Sequence, residues 1–299
     1  MNKLEELSNQ NKSNYQRYLK RMTESMKKST KGLIPLLARS GTNILDVGCG
    51  SGVMLKALEE EIPNVKLTGI DLNSEAINEL KKYNINWDLI HIDFMKMKNV
   101  KFDAIIFSSI LHEISSYNND LTKRFTEKPI LDAFKKSNEL LEDNGIIIIR
   151  DGLLVPIEQR NNRLIVSFKN PNDYIWLYKF QQEFRGFDNL DINKNIVALD
   201  YNKYLVYEGF LKEFLYTYTW GSESYNREIN ERFEILTESE WLYLLKESGF
   251  KIETTIKSRE EYEKYLSNKI SITDEFGNYY EYPNMTIVLK ANKIKTLKK

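Results

Sequence analysis

A short stretch around residue 48 constrains the fold of this chain more than any other feature. The run Asn43–Val47 is mostly apolar and typical of a buried parallel strand, and glycines follow it at positions 48, 50 and 52. Residues Val53 to Glu61 then predict a helix. Because glycine has no Cβ, such a turn lets the backbone approach a ligand closely. The free N–H groups and the dipole of the helix N-terminus favour binding of a small polar ligand there.

A second strand narrows the kind of ligand. Lys66–Leu72 predicts a short strand that ends near an acid, Asp71, about 20 residues after the glycines. In dinucleotide-binding folds an acid at this distance accepts hydrogen bonds from ribose hydroxyls. A glycine-rich turn alone is also compatible with a turn that binds nothing. The combination of the turn with the strand-end acid favours a ligand that contains a nucleoside.

The chain beyond residue 72 alternates strands with helices. The predicted strands are Asp88–Ile92, Lys101–Phe107, Gly145–Asp151, Lys251–Ile256 and Met285–Lys290. Predicted helices follow the cap residue Asn73, span Pro129–Leu141 and begin at a capping box, Thr237–Glu240. This rhythm predicts an α/β fold with a doubly wound, mostly parallel sheet and helices on both faces.

Three regions are expected along the 299 residues. Residues 1–40 predict an N-terminal helical segment, and residues 41–152 together with 236–299 predict the ligand-binding α/β domain. Residues 153–235 are dense in aromatic side chains and too long for a loop between neighbouring elements. We therefore expect an inserted, mainly helical cap over the sheet. Residues 258–282, which are charged and rich in tyrosine, predict a second surface insertion.

Composition argues against several classes of protein and site. The net charge is zero, which gives no overall electrostatic attraction to nucleic acid or to an anionic membrane. The single cysteine, Cys49, forms no intrachain disulfide and fits a reducing compartment, so we expect a cytoplasmic protein without membrane spans. With only two histidines besides, we expect no metal ion. That expectation concerns structural zinc sites, and the sequence does not exclude Mg²⁺ or Ca²⁺ bound by carboxylates.

Four motifs together resemble a known family. They are Asp46–Gly52 (DVGCGSG), Gly69–Leu72 (GIDL), Asp93-Phe94 and Phe102–Phe107 (FDAIIF). In this order and spacing they resemble the class I S-adenosylmethionine-dependent methyltransferases. The resemblance is strong over residues 40–151, moderate over 236–292 and absent from the insertion. It implies a Rossmann-like, seven-stranded sheet, S-adenosyl-L-methionine as cofactor and S-adenosyl-L-homocysteine as product.

The resemblance also implies which residues bind the cofactor. The glycine turn would lie under its amino-acid part, and Asp46 would hold the turn and reach the ammonium group through a water molecule. Asp71 would accept both ribose hydroxyls, and Asp93 would accept from the adenine amino group. Leu72 and Phe94 would lie on the two faces of the adenine ring. The full expected set is Asp46, Gly48, Cys49, Gly50, Gly52, Asp71, Leu72, Asp93, Phe94 and Ser108.

The run Ser108–Glu113 follows the fourth strand, where a doubly wound sheet opens its ligand crevice. Ser108 would contact the methionine end of the cofactor. His112 and Glu113 are the candidate catalytic residues, as a general base for a hydroxyl or another weak nucleophile. A purely structural histidine is the alternative. Asp151, just after the fifth strand, is a weaker candidate for the same work.

The methyl acceptor is not identified by the sequence. A large aromatic cap favours a small or medium-sized acceptor enclosed from water. The chain also lacks the Asn/Asp-Pro-Pro-Tyr/Phe signature of amino-directed nucleic-acid methyltransferases. An aromatic cap is equally compatible with a hydrophobic core of its own. The candidate acceptor-lining residues are Tyr15, Tyr18, Arg21, Asp151, Tyr178, Tyr218 and Trp220.

Other functions remain open at this point. The chain could methylate RNA or protein, or it could be a catalytically silent subunit that still binds S-adenosylmethionine. A nicotinamide-dependent oxidoreductase is a remote alternative, because that class uses Gly-x-Gly-x-x-Gly, whereas this chain has Gly48-x-Gly50-x-Gly52. The sequence does not indicate an oligomeric state.

Overall fold

The computed structural model describes residues 32–37, 43–83, 85–187 and 191–295. The strands are β1 Asn43–Val47, β2 Lys66–Asp71, β3 Asp88–His91, β4 Phe102–Ser108, β5 Leu141–Gly152, β6 Arg163–Phe168, β7 Val197–Asp200, β8 Lys203–Tyr207, β9 Phe250–Ser258, β10 Ile270–Asp274 and β11 Thr286–Lys293. The α-helices are α1 Val53–Glu61, α2 Ser74–Leu80, α3 Leu111–Ser116, α4 Lys128–Leu140, α5 Tyr174–Glu183, α6 Glu208–Trp220, α7 Tyr225–Glu228, α8 Glu238–Glu247 and α9 Glu260–Leu266. Residues 32–37 are also helical, where the end of the N-terminal helical segment was predicted.

Seven strands form one sheet in the order β3-β2-β1-β4-β5-β11-β9. Only β11 runs antiparallel to its neighbours, β5 and β9. The chain moves outward from β1 in both directions, so the sheet has a topological switch point between β1 and β4, where ligands bind in open α/β sheets. The prediction of a mostly parallel, seven-stranded, doubly wound sheet is confirmed.

Alternate residues of the central strands fill two separate cores. On one face Leu45, Ile105 and Ile147 pack with side chains of α4 and α8. On the other face Ile44 and Ala104 pack with side chains of α1 and α2. This two-residue alternation follows from the pleat of a strand. Both faces are apolar because helices cover both, which is typical of a parallel sheet.

The cap contains a sheet that the sequence analysis missed. Strands β6, β7 and β8 join β10 in a four-stranded antiparallel sheet with the order β10-β6-β8-β7. Helices α5 and α6 are present as the prediction of a mainly helical insertion requires, and they pack against this sheet. The alternating burial of β6, with Leu164, Val166 and Phe168 inside, is the period of a strand rather than a helix. The predicted second insertion, residues 258–282, supplies β10 and so takes part in the cap sheet.

Helix α6 is the central element of the cap, and every residue from Glu208 to Tyr218 is buried. Two of its charged side chains, Lys212 and Glu213, bind backbone groups, and Glu208 accepts from the side chains of Asn162 and Tyr280. The Glu213 carboxylate accepts the N–H groups of Phe233 at 2.8 Å and Glu234 at 2.9 Å, and Lys212 donates to the carbonyl of Leu153. These bonds fix the chain around residue 233 against the cap helix.

Among the described residues, no helix is both long and apolar enough to cross a membrane.

Replacing Trp241 by alanine should destabilise the protein by about 3–5 kcal/mol, the usual cost of removing a buried aromatic side chain. Trp241 on α8 is 1% exposed, and its indole N–H donates to the carbonyl of Gly152. Tyr243→Ala is the matched control, because Tyr243 lies on the same helix and is 59% exposed. That change should alter the free energy of unfolding, measured by urea denaturation, by less than about 0.5 kcal/mol. Equal losses in the two variants would contradict the described packing of α8.

Candidate active site

The glycine turn after β1 has a backbone that only glycine adopts without strain. Gly48 has a φ of 72° and Gly52 a φ of 75°. A Cβ at Gly48 would lie 2.6 Å from Cγ1 of Ile110, so the packing of Ile110 also requires a glycine at position 48. The N–H groups of Gly48 and Cys49 both donate to the carbonyl of Ile70, at 2.8 and 3.0 Å. These bonds hold the turn against the end of β2.

Asp71 connects the turn with the start of α2. Its Oδ2 accepts the N–H of Gly50 at 2.9 Å, and its Oδ1 accepts the N–H of Asn73 at 2.7 Å. Burial raises the pKa of Asp71, and the bonds from Asn73 and Gly50 and the charge of Arg227 partly offset that rise. A carboxylate offers about four acceptor positions, so two backbone bonds leave capacity for ribose hydroxyls. The predicted position of Asp71 beside the turn is thus present in the structure.

Asp46 lies beneath the turn and is 3% exposed. Burial, with a smaller contribution from the negative charge of Asp71, raises the pKa of Asp46 to about 8. The carboxyl group is therefore mostly protonated at neutral pH in the free protein. A positively charged group bound beside it would favour the ionised form and lower this pKa again.

Three other predicted cofactor residues have structural roles in this fold. Cys49 is buried, and burial together with Asp46 and Asp71 raises the pKa of its thiol, so the residue is a small packing group and not a nucleophile. Phe94 is 5% exposed and packs edge-on against Phe107, with ring centroids 5.2 Å apart. That burial does not favour the stacking on adenine that the family resemblance implied. Asp93 accepts the N–H of Met95 at 2.9 Å and caps a 3₁₀ turn.

Leu72 and Ser108 are placed as a ligand contact would require. Leu72 follows β2 and is 39% exposed, so its side chain is available to an apolar ligand surface. Ser108 ends β4 and is buried, and its Oγ has no hydrogen-bond partner among the described residues. Ser109, next along the chain, has a φ of 57°, and such strained residues cluster at functional sites. The strained turn leads directly into α3, which carries His112 and Glu113.

His112 and Asp151 form a buried pair between the ends of β4 and β5. Nδ1 of His112 lies 2.7 Å from Oδ1 of Asp151, and the N–H groups of Leu111 and Gly152 donate to the same carboxylate at 2.8 Å each. Burial alone would lower the pKa of His112, but the charge and hydrogen bond of Asp151 and the charges of Glu231 and Glu113 raise it to about 9. Burial raises the pKa of Asp151, whereas His112 and the hydrogen bonds lower it below its usual value. The free protein at neutral pH thus holds an imidazolium–carboxylate pair here.

Three charged residues of the cap complete this cluster, and the sequence analysis missed them. Arg227 donates to Glu113 at 2.7 Å and to Oε1 of Glu231 at 2.8 Å. Oε2 of Glu231 lies 3.8 Å from Nε2 of His112. The third residue, Glu228, is 1% exposed. The only signal in the sequence was charge within an aromatic segment, at positions 227, 228 and 231.

The predicted acceptor-lining residues fall into three groups: one in the cluster with His112, three in the core of the cap and three outside the described residues. Asp151 lies in the cluster with His112. Tyr178, Tyr218 and Trp220 belong to the hydrophobic core of the cap, where Tyr218 stacks on Phe214 and donates to Asp173. These contacts favour the alternative of a self-packing aromatic cap. Tyr15, Tyr18 and Arg21 lie outside the described residues.

Comparison with known proteins agrees with this geometry. The family model described as "Methyltransferase domain" matches residues 15–255. The chain therefore belongs to the methyltransferase-domain family. The predicted resemblance to class I S-adenosylmethionine-dependent methyltransferases is confirmed, and the sheet order and the glycine turn of this chain agree with it.

Curated relatives match parts of the methyltransferase. The "Bifunctional methyltransferase" of Rickettsia prowazekii is 28% identical over 167 residues, which are 49% of this chain and 32% of that protein. The "Ribosomal RNA small subunit methyltransferase C" of Shewanella sediminis is 29% identical over 105 residues, which are 34% of this chain and 31% of that protein. The chain thus spans about a third of the length of these relatives.

A solved structure shares the fold over most of the chain. Human N-acetylserotonin methyltransferase in complex with S-adenosylmethionine aligns with a TM-score of 0.53 at 12% identity. The alignment covers 96% of this chain and 58% of the human protein. At this identity the likeness concerns the fold.

The change Asp71→Ala should weaken the binding of S-adenosylhomocysteine by roughly 1.5–3 kcal/mol, the usual value of hydrogen bonds to a charged group. Calorimetry measures the affinity. Asp88→Ala is the control, because Asp88 is an exposed acid at the opposite end of the neighbouring strand. An affinity unchanged by Asp71→Ala would remove this residue from the site.

Raising the pH from about 6 to about 7.5 should strengthen the binding of S-adenosylhomocysteine. Asp46 has a pKa of about 8 in the free protein, so it must lose its proton to pair with the ammonium of the ligand. The affinity of the wild type should rise by up to about tenfold per pH unit in this range. Asp46→Asn does not titrate and should show a flatter profile in calorimetry at each pH. The same slope in both proteins would show that Asp46 does not ionise on binding.

Proposed function

We propose that the protein transfers the methyl group of S-adenosylmethionine to a small or medium-sized acceptor enclosed between the sheet and the cap. The observation that carries this proposal is the contact of Arg227 with Glu113, because it joins the cap to the helix that follows β4. Arg227 is also close enough to Asp71 to lower the pKa of its carboxyl group. Arg227 of the cap therefore contacts α3 and also acts electrostatically on Asp71 in the candidate cofactor site.

Each part of the site would have a defined task. The glycine turn and Asp46 would bind the amino-acid part of the cofactor, Asp71 its ribose, and Ser108 its methionine end. S-adenosylhomocysteine would remain there after transfer. Methyl transfer depends mainly on alignment of the acceptor atom, the methyl carbon and the sulfur in one line. A crevice closed by the cap favours such alignment and excludes water.

His112 and Glu113 would contact the acceptor. Asp151 holds Nδ1 of His112, which leaves Nε2 directed to the side of Glu231. An acceptor that gains a methyl group on oxygen or nitrogen loses a proton. The carboxylate of Glu113 would take it directly, whereas His112, which is protonated in the free protein at neutral pH, would take it only after losing its own proton. Asp151 would act as a positioning residue through the ring of His112. This is a general-base assignment that the buried, charged cluster supports.

The enclosed crevice favours a small acceptor over RNA or protein. A macromolecular acceptor requires an open and, for RNA, a basic approach surface. The cations of the cluster, His112 and Arg227, are paired with Asp151, Glu113 and Glu231, so they are not available to a phosphate backbone. The partners expected from this proposal are thus the cofactor and a small molecule.

Incubation of the protein with methyl-labelled cofactor and fractionated cell extract tests the acceptor class. Label should enter the fraction of low molecular mass, and label recovered mainly in RNA or protein would overturn the small-molecule assignment.

A variant of His112 tests its role in catalysis. With the identified acceptor, His112→Ala should lower kcat by about 10²–10⁴-fold, the usual contribution of general acid–base catalysis, and change the affinity for S-adenosylhomocysteine little. Asp151→Asn should lower kcat in the same direction. A loss of affinity with unchanged kcat would assign His112 to binding.

A further inference from the structure

The cluster that joins α3 to the cap has the geometry of a metal-binding site. One potential ligand atom each of His112, Glu113 and Glu231 lies within 4.8 Å of the other two. Nε2 of His112 and Oε2 of Glu231 are 3.8 Å apart. Ligands about 2.1 Å from a tetrahedral or octahedral ion lie roughly 3–3.5 Å from one another. Movements of about 1 Å would therefore bring the three atoms to coordinating distance.

Each of these three side chains is held by a second partner on its other polar atom. Nδ1 of His112 is 2.7 Å from Asp151. Oε1 of Glu231 accepts from the hydroxyl of Tyr117 and from Arg227, at 2.8 Å each. Oε1 of Glu113 accepts from Arg227 at 2.7 Å. A carboxylate on the distal nitrogen of a histidine, and hydrogen bonds on the distal oxygens of carboxylates, are the usual outer partners of metal ligands.

A separate observation concerns Glu228, a buried residue beside the cluster with one unpartnered oxygen. Glu228 is 1% exposed, and its Oε1 has no hydrogen-bond partner among the described residues. Its carboxylate interacts electrostatically with Glu231, Arg227, Glu113 and His112, so it lies at the same cluster. A buried carboxylate without a partner is costly, and a bound cation removes that cost.

We propose that His112, Glu113 and Glu231 bind one divalent transition-metal ion, with the buried carboxyl group of Glu228 close to the site. An imidazole nitrogen combined with carboxylate oxygens suits Zn²⁺ or Mn²⁺ better than Mg²⁺, which prefers oxygen ligands alone. His112 and Glu113 belong to α3, and Glu231 belongs to the cap. The ion would therefore fasten the cap to the sheet domain beside the proposed acceptor position. With the ion bound, Nε2 of His112 would be a metal ligand and would not take the proton of an acceptor.

Metal binding is measurable without any acceptor. The full chain, freed of metal with a chelator and dialysed, is titrated with Zn²⁺ and separately with Mn²⁺ in a calorimeter. We expect one ion per chain and an increase in Tm when the ion is present, because a ligand that binds only the folded state stabilises it. Mg²⁺ at the same concentration should bind more weakly. S-adenosylhomocysteine binding, measured in parallel, tests the proposed cofactor site independently.

Variants of the cluster assign the site. His112→Ala and Glu231→Gln should each weaken binding of the ion at least tenfold, and Tyr117→Phe, which removes an outer partner, should weaken it about 10–100-fold. His91→Ala removes the other histidine of the chain, which is exposed, and should leave the affinity for the ion unchanged. If His112→Ala fails to fold, Glu228→Gln keeps the size of the side chain and should also weaken binding.

Two results would overturn the proposal. One is the absence of Zn²⁺ and Mn²⁺ binding to a protein that still binds S-adenosylhomocysteine, which would show that Arg227 and His112 alone balance the acids. The other is ion binding that the changes at His112, Glu231 and Glu228 leave unaltered, which would place the ion elsewhere on the chain.

Discussion

The parallel pairing of β1 with β2 on one side and β4 on the other brings together the residues of the candidate cofactor site. The register places Asp46 opposite Gly69 and Ile106, so the carboxyl ends of the three strands lie at one edge of the sheet. A shift by one residue would exchange the two faces of β1 and disrupt both cores at once. The hydrophobic cores therefore fix the register, and the register places the glycine turn, Asp71 and Ser108 around one crevice.

The sequence predicts the glycine turn and the strand-end acid beside it because their signals are local. A strand, a glycine turn and a strand-end acid are short patterns with direct backbone causes, such as the positive φ of Gly48 and Gly52. The cap was less accessible to prediction. Its sheet depends on the pairing of Ile272 with Val166. Its link to α3 depends on the contact of Arg227 with Glu113, 114 positions away. Hydrophobic periodicity contains no information about such distant partners.

The buried charges between α3 and the cap are not an efficient way to stabilise a fold. Removing charged groups from water costs free energy, and apolar residues of the same size usually stabilise a core better. His112, Asp151 and Glu113 have perturbed pKa values and lie at or just after the ends of β4 and β5, which is typical of a functional site. By contrast, Glu213 of α6 binds two backbone N–H groups and has an evident structural task. Charged side chains are thus buried for two different reasons. Glu213 holds backbone groups of the cap, whereas the cluster beside α3 belongs to the candidate site.

The position of β10 has a consequence for how the chain folds during synthesis. Strand β6 pairs with β8 on one side, but its other edge stays open until residues 270–274 have left the ribosome. The seven-stranded sheet is also incomplete until late in synthesis, because β11 must insert between β5 and β9. Long-range antiparallel pairing of this kind is slow and leaves strand edges exposed to other chains. The nascent protein therefore carries two unpaired edges at once, and both close only when the same late stretch of polypeptide arrives.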